Sequence, residues 1–107
     1  MHPKPIKIII CKDHSAEEVQ SYLFSIGYTW KRDKEFDFEN EYRKIKSFYI
    51  EIIIILLEDK TFAWESYVNY INPYMNKIYG DTPATDNVTF LQKSKRKEKL
   101  KKINDYR

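Results

Sequence analysis

Histidine and cysteine, the side chains most often used as metal ligands, bases and nucleophiles, are scarce in this chain. It has two histidines, His2 and His14, and one cysteine, Cys11. Cys11 and His14 are three positions apart, but no second Cys/His pair completes the four ligands of a structural zinc site. The favoured interpretation makes Cys11 a buried strand residue and His14 a surface turn residue. We therefore predict no metal, no cofactor and no catalytic residue.

Five carboxylates alternate with other side chains between positions 33 and 41: Asp33, Glu35, Asp37, Glu39 and Glu41. In an extended chain they would share one face, where they could hold a divalent cation or contact a basic partner. Cation sites usually draw their ligands from a tight turn, so a solvated loop face is the favoured interpretation. Contact with a partner is the first alternative, and a metal-dependent enzyme is a more distant one.

An aromatic and cationic group follows the first predicted helix, at Trp30, Lys31 and Arg32, and Trp64 and Tyr67 come at the end of a later predicted strand. Aromatic rings that stack on bases, combined with cations for phosphates, are typical of nucleotide and single-strand binding sites. Aromatic residues directly after a helix are more often part of the core. These five residues are nevertheless the candidate ligand-binding site.

The C-terminal residues 93–107 form a basic arm. They hold eight of the 19 basic and two of the 16 acidic residues, so the arm carries +6 and the rest of the chain −3. Such an arm either binds nucleic acid phosphates or only keeps the protein soluble. The candidate nucleic-acid-binding residues are Lys93, Lys95, Arg96, Lys97, Lys99, Lys101 and Lys102.

Periodicity predicts the elements that position these groups. A strand ends at Cys11, and Ser15 with Glu18 forms a predicted capping box for a helix that Gly27 ends. A short strand covers residues 28–30, and residues 31–46 are predicted to be a long loop. Residues 47–57 read as a central strand, and a turn at residues 58–60 leads to a returning strand at 61–64.

The last third of the chain is less regular. The sequence predicts a short helix from Pro73 to Tyr79, with Asn72 as its cap. Residues 81–87 are predicted to be a loop, and residues 88–107 begin as a strand or a helix and continue as a frayed arm.

These elements predict an α+β fold. One main helix packs on a small, mostly antiparallel sheet in the order strand, helix, strand, strand, strand, and a basic helical arm follows. The length of 107 residues predicts a single domain over residues 1–92, with the arm at 93–107. The longest apolar run is too short to cross a membrane, and a single cysteine is compatible with a reducing cytoplasm. An exposed edge beside the isoleucine-rich hairpin favours a homodimer.

Residues 19–30 follow the pattern VQxxLFxxGYxW, and a later strand at residues 49–52 turns into residues 60–62. Over about residues 5–65 the chain resembles small, mostly uncharacterised bacteriophage proteins in which this pattern follows a first strand. The resemblance implies a strand-helix-strand unit, a phage source and a role in the infected host, where such accessory proteins bind and block a component.

The leading hypothesis is therefore a non-enzymatic, phage-type accessory protein of the host cytoplasm. It inhibits or sequesters a host component, either a defence protein or a nucleotide signal. The alternative is a nucleic-acid-binding protein that uses the basic arm.

Overall fold

The computed structural model describes residues 4–12, 15–32, 36–45, 51–72 and 81–94, which form an α+β fold. The strands are β1 (Pro5–Cys11), β2 (Thr29–Trp30), β3 (Ile52–Leu57), β4 (Thr61–Ser66) and β5 (Ala84–Asp86). The helices are α1 (Ala16–Ser25), α2 (Phe38–Ile45), α3 (Tyr67–Ile71) and α4, residues 87–94. The predicted α+β class is confirmed, and the predicted basic helical arm beyond residue 94 lies outside the described residues. Among the described helices, none has the length and apolarity that a membrane crossing requires.

The strands form one mixed sheet in the order β2-β4-β3-β1-β5. The middle strand β3 is antiparallel to both of its neighbours, β4 and β1, while β2 runs parallel to β4 and β5 runs parallel to β1. The sequence predicted a mostly antiparallel sheet. This prediction is corrected at the two edge strands, which run parallel to their neighbours. Because α1 carries the chain back across the sheet, β2 runs in the same direction as β1.

The central strand is confirmed over Ile52–Leu57 as β3, in which all six residues are buried, while residues 47–50 of the predicted strand lie outside the described residues. Side chains alternate between the two faces of a strand, so a strand that is apolar at every position is covered on both sides. The hairpin to β4 is also confirmed. Lys60 supplies the left-handed conformation in its turn, with φ of 65°.

One face of the sheet carries the larger core, against which α1, α2 and α4 pack. Its buried residues are Ile9, Cys11, Ala16, Val19, Leu23, Trp30, Tyr42, Ile52, Ile54, Leu56, Phe62, Phe90 and Leu91. The opposite face buries Ile8, Ile53, Ile55 and Leu57, and Tyr67 and Tyr70 of α3 pack against it.

The sequence predicted the end of helix α1 correctly but not its beginning. Gly27 ends it as predicted, with φ of 97°, and the Tyr28 N–H donates to the Leu23 carbonyl at 2.9 Å. The capping box is wrong, because Ser15 has helical dihedral angles and its side chain makes no capping bond. A side-chain cap normally requires an extended residue at that position. The Ser15 hydroxyl is buried without a hydrogen-bond partner.

The predicted loop over residues 31–46 is wrong where α2 forms. Asp37 begins this helix by accepting from the Asn40 N–H at 3.1 Å. Phe38 and Tyr42, four residues apart, face the main core. Phe38, Tyr42 and Ile45 stand at helical spacing, but this pattern covers only two turns within a charged segment, and the sequence prediction took the segment for a loop.

Two further corrections concern residues 66–87. A short helix, α3, covers residues 67–71, where Ser66 accepts from the Asn69 N–H at 3.2 Å. The predicted helix from Pro73 to Tyr79 lies outside the described residues. Residues 84–86 form strand β5 instead of a loop, and the Asp86 carboxylate then accepts from the Thr89 N–H at 2.6 Å to begin α4. The hydrogen bonds that the backbone and the side chain of Thr89 make to this carboxylate lower the pKa of Asp86.

Candidate functional site: the groove beside β2

Strand β2 lies at one edge of the sheet and joins α1 to the segment that leads into α2. The Thr29 N–H donates to the Lys60 carbonyl at 3.2 Å, and the Lys31 N–H donates to the Phe62 carbonyl at 2.8 Å. Backbone groups alternate in direction along a strand, so the N–H and C=O of Trp30 point away from β4, toward the open edge. Two residues beyond Trp30, Arg32 forms an isolated antiparallel bridge with Asp37. This bridge lies on the same side of the chain as the open edge of β2.

A groove of about 600 Å³ lies beside this edge. We call it the β2 groove. Four elements or their flanking residues contribute to its wall, which is lined by Phe24, Thr29, Trp30, Arg32, Glu39 and Thr61. The structure therefore brings Trp30 and Arg32 of the predicted ligand site into one groove, together with Glu39 of the predicted carboxylate series.

The Trp30 ring belongs to the core. It is 5% exposed, and its centroid lies 4.2 Å from that of Phe62 and 5.4 Å from that of Tyr42. Phe62 and Tyr42 pack closely against this ring, which leaves little of its surface for a ligand base to stack on. Trp30 therefore lines the groove as a fixed ring of the core. The sequence hypothesis had instead proposed this ring as a surface on which a ligand base stacks.

The polar atom of the Trp30 ring is also buried. Within the described residues, Trp30 Nε1 has no hydrogen-bond acceptor. An indole N–H is a donor only, and an unsatisfied buried donor costs about 1–3 kcal/mol. This cost belongs to the core, because the atom is shielded from solvent.

The charged residues that line the groove are Arg32 and Glu39, and Arg43 contacts Glu39 from outside the lining. Glu39 Oε1 lies 2.9 Å from Arg43 Nη2, and Glu39 Oε2 lies 3.6 Å from Arg32 Nη2. Arg43 is one helical turn from Glu39 and holds it more closely, whereas the Arg32 side chain is 76% exposed. Exposed ion pairs of this kind contribute about 0–1 kcal/mol, so Arg32 is free to exchange partners at little cost.

Phe24 provides an aromatic surface that is open to solvent. It is 44% exposed, and its ring centroid lies 5.6 Å from that of buried Phe62. Sequence reasoning missed Phe24, Thr29 and Thr61 as site residues. The signal for Phe24 was present, because this aromatic residue lies off the buried stripe of α1 that runs through Val19 and Leu23.

The other predicted ligand-site residues lie elsewhere. Lys31 is half-buried, beside the groove but outside its lining. Trp64 packs against the main core and, like Trp30, has a buried Nε1 without a partner. Tyr67 lies on the opposite face of the sheet, 6.2 Å from Tyr70 between ring centroids. The structure therefore does not bring Tyr67 together with Trp30.

The carboxylate series is not an extended ladder. Asp37 begins α2, and Glu39 and Glu41 lie on that helix, where Glu41 Oε1 is 3.8 Å from Lys44 Nζ. Asp33 and Glu35 lie outside the described residues. Within the part of the chain that the structure describes, no group of three or more His, Cys, Asp or Glu side chains is placed to hold a metal ion.

Cys11 is buried in β1, as predicted, and burial raises the pKa of its thiol to about 12. A thiol with so high a pKa is protonated at neutral pH and is a poor nucleophile. His2 and His14 lie outside the described residues.

Of the basic arm, Lys93 is exposed on α4, while Lys95, Arg96, Lys97, Lys99, Lys101 and Lys102 lie outside the described residues.

Comparison of this chain with protein-family models, with curated proteins and with solved structures gives no match.

Proposed function

We propose that this chain is a non-enzymatic accessory binding protein of phage type that sequesters a nucleotide signal of the host in the β2 groove. The observation that carries the proposal is the convergence of Trp30, Arg32 and exposed Phe24 on one cavity of about 600 Å³. Cavities of about 300–1,000 Å³ are the usual size for small-molecule ligands. A ligand of that size favours a nucleotide signal over a defence protein as the target.

Different residues of the groove suit the base and the phosphate of a nucleotide. Exposed Phe24 offers a ring on which a base stacks, which is the role that the sequence suggested for Trp30. Arg32 offers a guanidinium, whose planar pair of donors fits a phosphate. In this proposal the protein acts in the cytoplasm of the infected host by lowering the free concentration of the signal.

Binding without catalysis is the activity that these groups support. Glu39, the one carboxylate among the described residues that line the groove, already contacts two arginine side chains. General base catalysis requires a base within hydrogen-bond reach of the proton that it removes. The Glu39 carboxylate is instead paired with guanidinium groups, which compete with a substrate proton for its oxygens. The groove residues thus support holding a ligand.

The test is native purification from bacterial lysate, followed by mass spectrometry of the molecules that heat releases. We expect the unmodified protein to release a nucleotide, and Phe24→Ala and Arg32→Ala to release much less. Lys44→Ala is the matched control, because Lys44 is an exposed cation of α2 that pairs with Glu41 and does not line the groove. Equal release from Arg32→Ala and Lys44→Ala would contradict the proposed site, and a protein that releases no nucleotide would contradict the proposed ligand.

The basic arm supports a second candidate function, nucleic-acid binding, through its charge of +6. Phosphate contacts of this kind give affinity that falls steeply as salt rises. A chain that ends at residue 94 should then lose binding to duplex DNA and its salt dependence. Binding that is unchanged by the deletion would exclude the arm from this role.

A further inference from the structure

Glu39 lies between two cavities, and its contacts indicate which base the β2 groove accepts. We propose that the groove prefers guanine nucleotides and that the Glu39 carboxylate reads the base. This inference rests on the proposed function, since it concerns the same groove, and it adds the identity of the base and the residue that selects it.

The two oxygens of Glu39 belong to different cavities. Glu39 lines the β2 groove and also a second cavity of about 200 Å³ between α1 and α2. Of its two arginine partners, Arg32 lines the β2 groove and Arg43 lines the second cavity. Glu39 Oε2 lies 3.6 Å from Arg32 Nη2, whereas Oε1 lies 2.9 Å from Arg43 Nη2. These contacts place Oε2 on the side of the β2 groove.

A ligand in the groove can reach the Glu39 carboxylate, because the side chain is 25% exposed. At 3.6 Å, the contact of Oε2 with Arg32 is also longer than a hydrogen bond. An ionised carboxylate has about four acceptor positions, and among the described residues the arginine contacts of Glu39 account for two. Glu39 therefore has acceptor capacity left for the donors of a ligand.

Arg32 can give up Oε2 to a ligand at little cost. Its side chain is 76% exposed, and exposed ion pairs contribute little to stability. Arg43 continues to hold Oε1 when Arg32 leaves, so the carboxylate stays in place. The released guanidinium is then available for the phosphate of the same ligand.

The chemistry of a carboxylate favours guanine among the bases. An ionised carboxylate accepts hydrogen bonds and donates none. The Watson–Crick edge of guanine carries two adjacent donors, the N1–H and the 2-amino group. Adenine and cytosine have a ring nitrogen acceptor beside their amino group, so a lone pair would face a carboxylate oxygen. Uracil has a single ring donor between two carbonyl oxygens.

Phe24 places the base within reach of this carboxylate. It lines the same groove and is 44% exposed. A base that stacks on an aromatic ring keeps its edge free for hydrogen bonds. The groove of about 600 Å³ therefore combines a surface for the base, an acceptor for the guanine edge and a cation for the phosphate.

The test is calorimetric titration of the full chain at constant ionic strength with guanosine, inosine and adenosine monophosphate. Inosine monophosphate differs from guanosine monophosphate only in lacking the 2-amino group. We expect guanosine monophosphate to bind about tenfold or more tightly than inosine monophosphate, which is the loss expected for one charge-assisted hydrogen bond. Adenosine monophosphate should bind more weakly than either.

Glu39→Gln tests the residue, because an amide keeps the shape of the side chain but replaces one acceptor oxygen by a donor group. We expect this variant to bind guanosine monophosphate about tenfold or more weakly and to lose the preference for it over adenosine monophosphate. Glu41→Gln is the matched control. Glu41 is a carboxylate of the same helix that pairs with Lys44 and does not line the groove, so both affinities should stay unchanged.

Equal binding of guanosine and adenosine monophosphate, or of guanosine and inosine monophosphate, by the unmodified protein would overturn the inference. A guanine preference that persists in Glu39→Gln would overturn the role of Glu39. If Glu39→Gln did not fold, the three titrations of the unmodified protein would still decide whether guanine is preferred. If heat released a nucleotide with another base from the unmodified protein, the proposed function would stand and the guanine preference would fail.

Discussion

Phe62 links the core to the wall of the β2 groove, and its replacement by leucine gives a quantitative test of the fold. Phe62 is fully buried, and its ring contacts Trp30 at 4.2 Å and Phe24 at 5.6 Å between centroids. Leucine keeps the position apolar, and swaps of similar volume cost less than about 1.5 kcal/mol. Each lost aromatic pair adds about 0.5–1.5 kcal/mol. We expect Phe62→Leu to lower the free energy of unfolding by about 2–4 kcal/mol in total.

The matched control is Phe24→Leu. Phe24 belongs to the same ring cluster but is half exposed, so its replacement removes one aromatic pair and little buried area. Its expected cost is about 0.5–1.5 kcal/mol. The assay is urea unfolding at equilibrium, followed both by tryptophan fluorescence and by far-ultraviolet circular dichroism, because the Phe62 change alters the surroundings of Trp30. Since the stability of a small domain is about 5–15 kcal/mol, both losses are measurable.

If Phe62→Leu cost no more than Phe24→Leu, Phe62 would not be the buried centre of the ring cluster. An unchanged denaturant slope in both variants is needed for this comparison, because a changed slope reports a change in the unfolded or native ensemble.

Two further predictions concern caps and the buried thiol. Ser66→Ala should destabilise the protein by about 1 kcal/mol in thermal or urea unfolding, because it removes the bond from the Asn69 N–H. Ser15→Ala should leave stability unchanged or raise it, because it removes a buried hydroxyl that has no partner among the described residues. An equal loss in both variants would restore the capping role of Ser15. Burial raises the pKa of Cys11 from 9.0 to about 12 and that of Tyr42 from 10.0 to about 12. Both groups therefore stabilise the folded state fully below their unfolded pKa, and this stabilisation is lost as the pH rises toward 12. Unfolding free energies measured across this range should fall less steeply in Cys11→Ala and Tyr42→Phe, and an unchanged slope would show that neither group is buried.

The parts of the fold that could be predicted are those whose residues repeat a strong local pattern. Helix α1 has apolar residues at helical spacing and a glycine with positive φ at its end, and both signals act within a few residues. Strand β3 is apolar at every position, which a strand buried on both faces requires. Trp30 and Arg32, two positions apart, entered the candidate site from the sequence because an aromatic residue stands beside cations there, and both line the groove.

The parts that failed had a short pattern or none. Helix α2 has apolar residues at helical spacing, Phe38, Tyr42 and Ile45, but they span only two turns among charged side chains, and Tyr42 alone is buried. Strand β5 has three residues, none of them fully buried, and it forms because β1 offers a free edge beside it. A short strand of this kind has no stability of its own, and its partner decides whether it exists.

The sequence by itself determined the α+β class, the main helix and the central hairpin, because propensity, capping and alternation act between residues close in the chain. Only the tertiary structure decided that Trp30 lies packed against Phe62 and Tyr42, that Tyr67 lies on the other face of the sheet, and that Phe24 and Arg32 share a groove. The elements that carry these residues are brought together by strand pairing and by burial of the common core. Those contacts span large separations in sequence, and no local pattern encodes them.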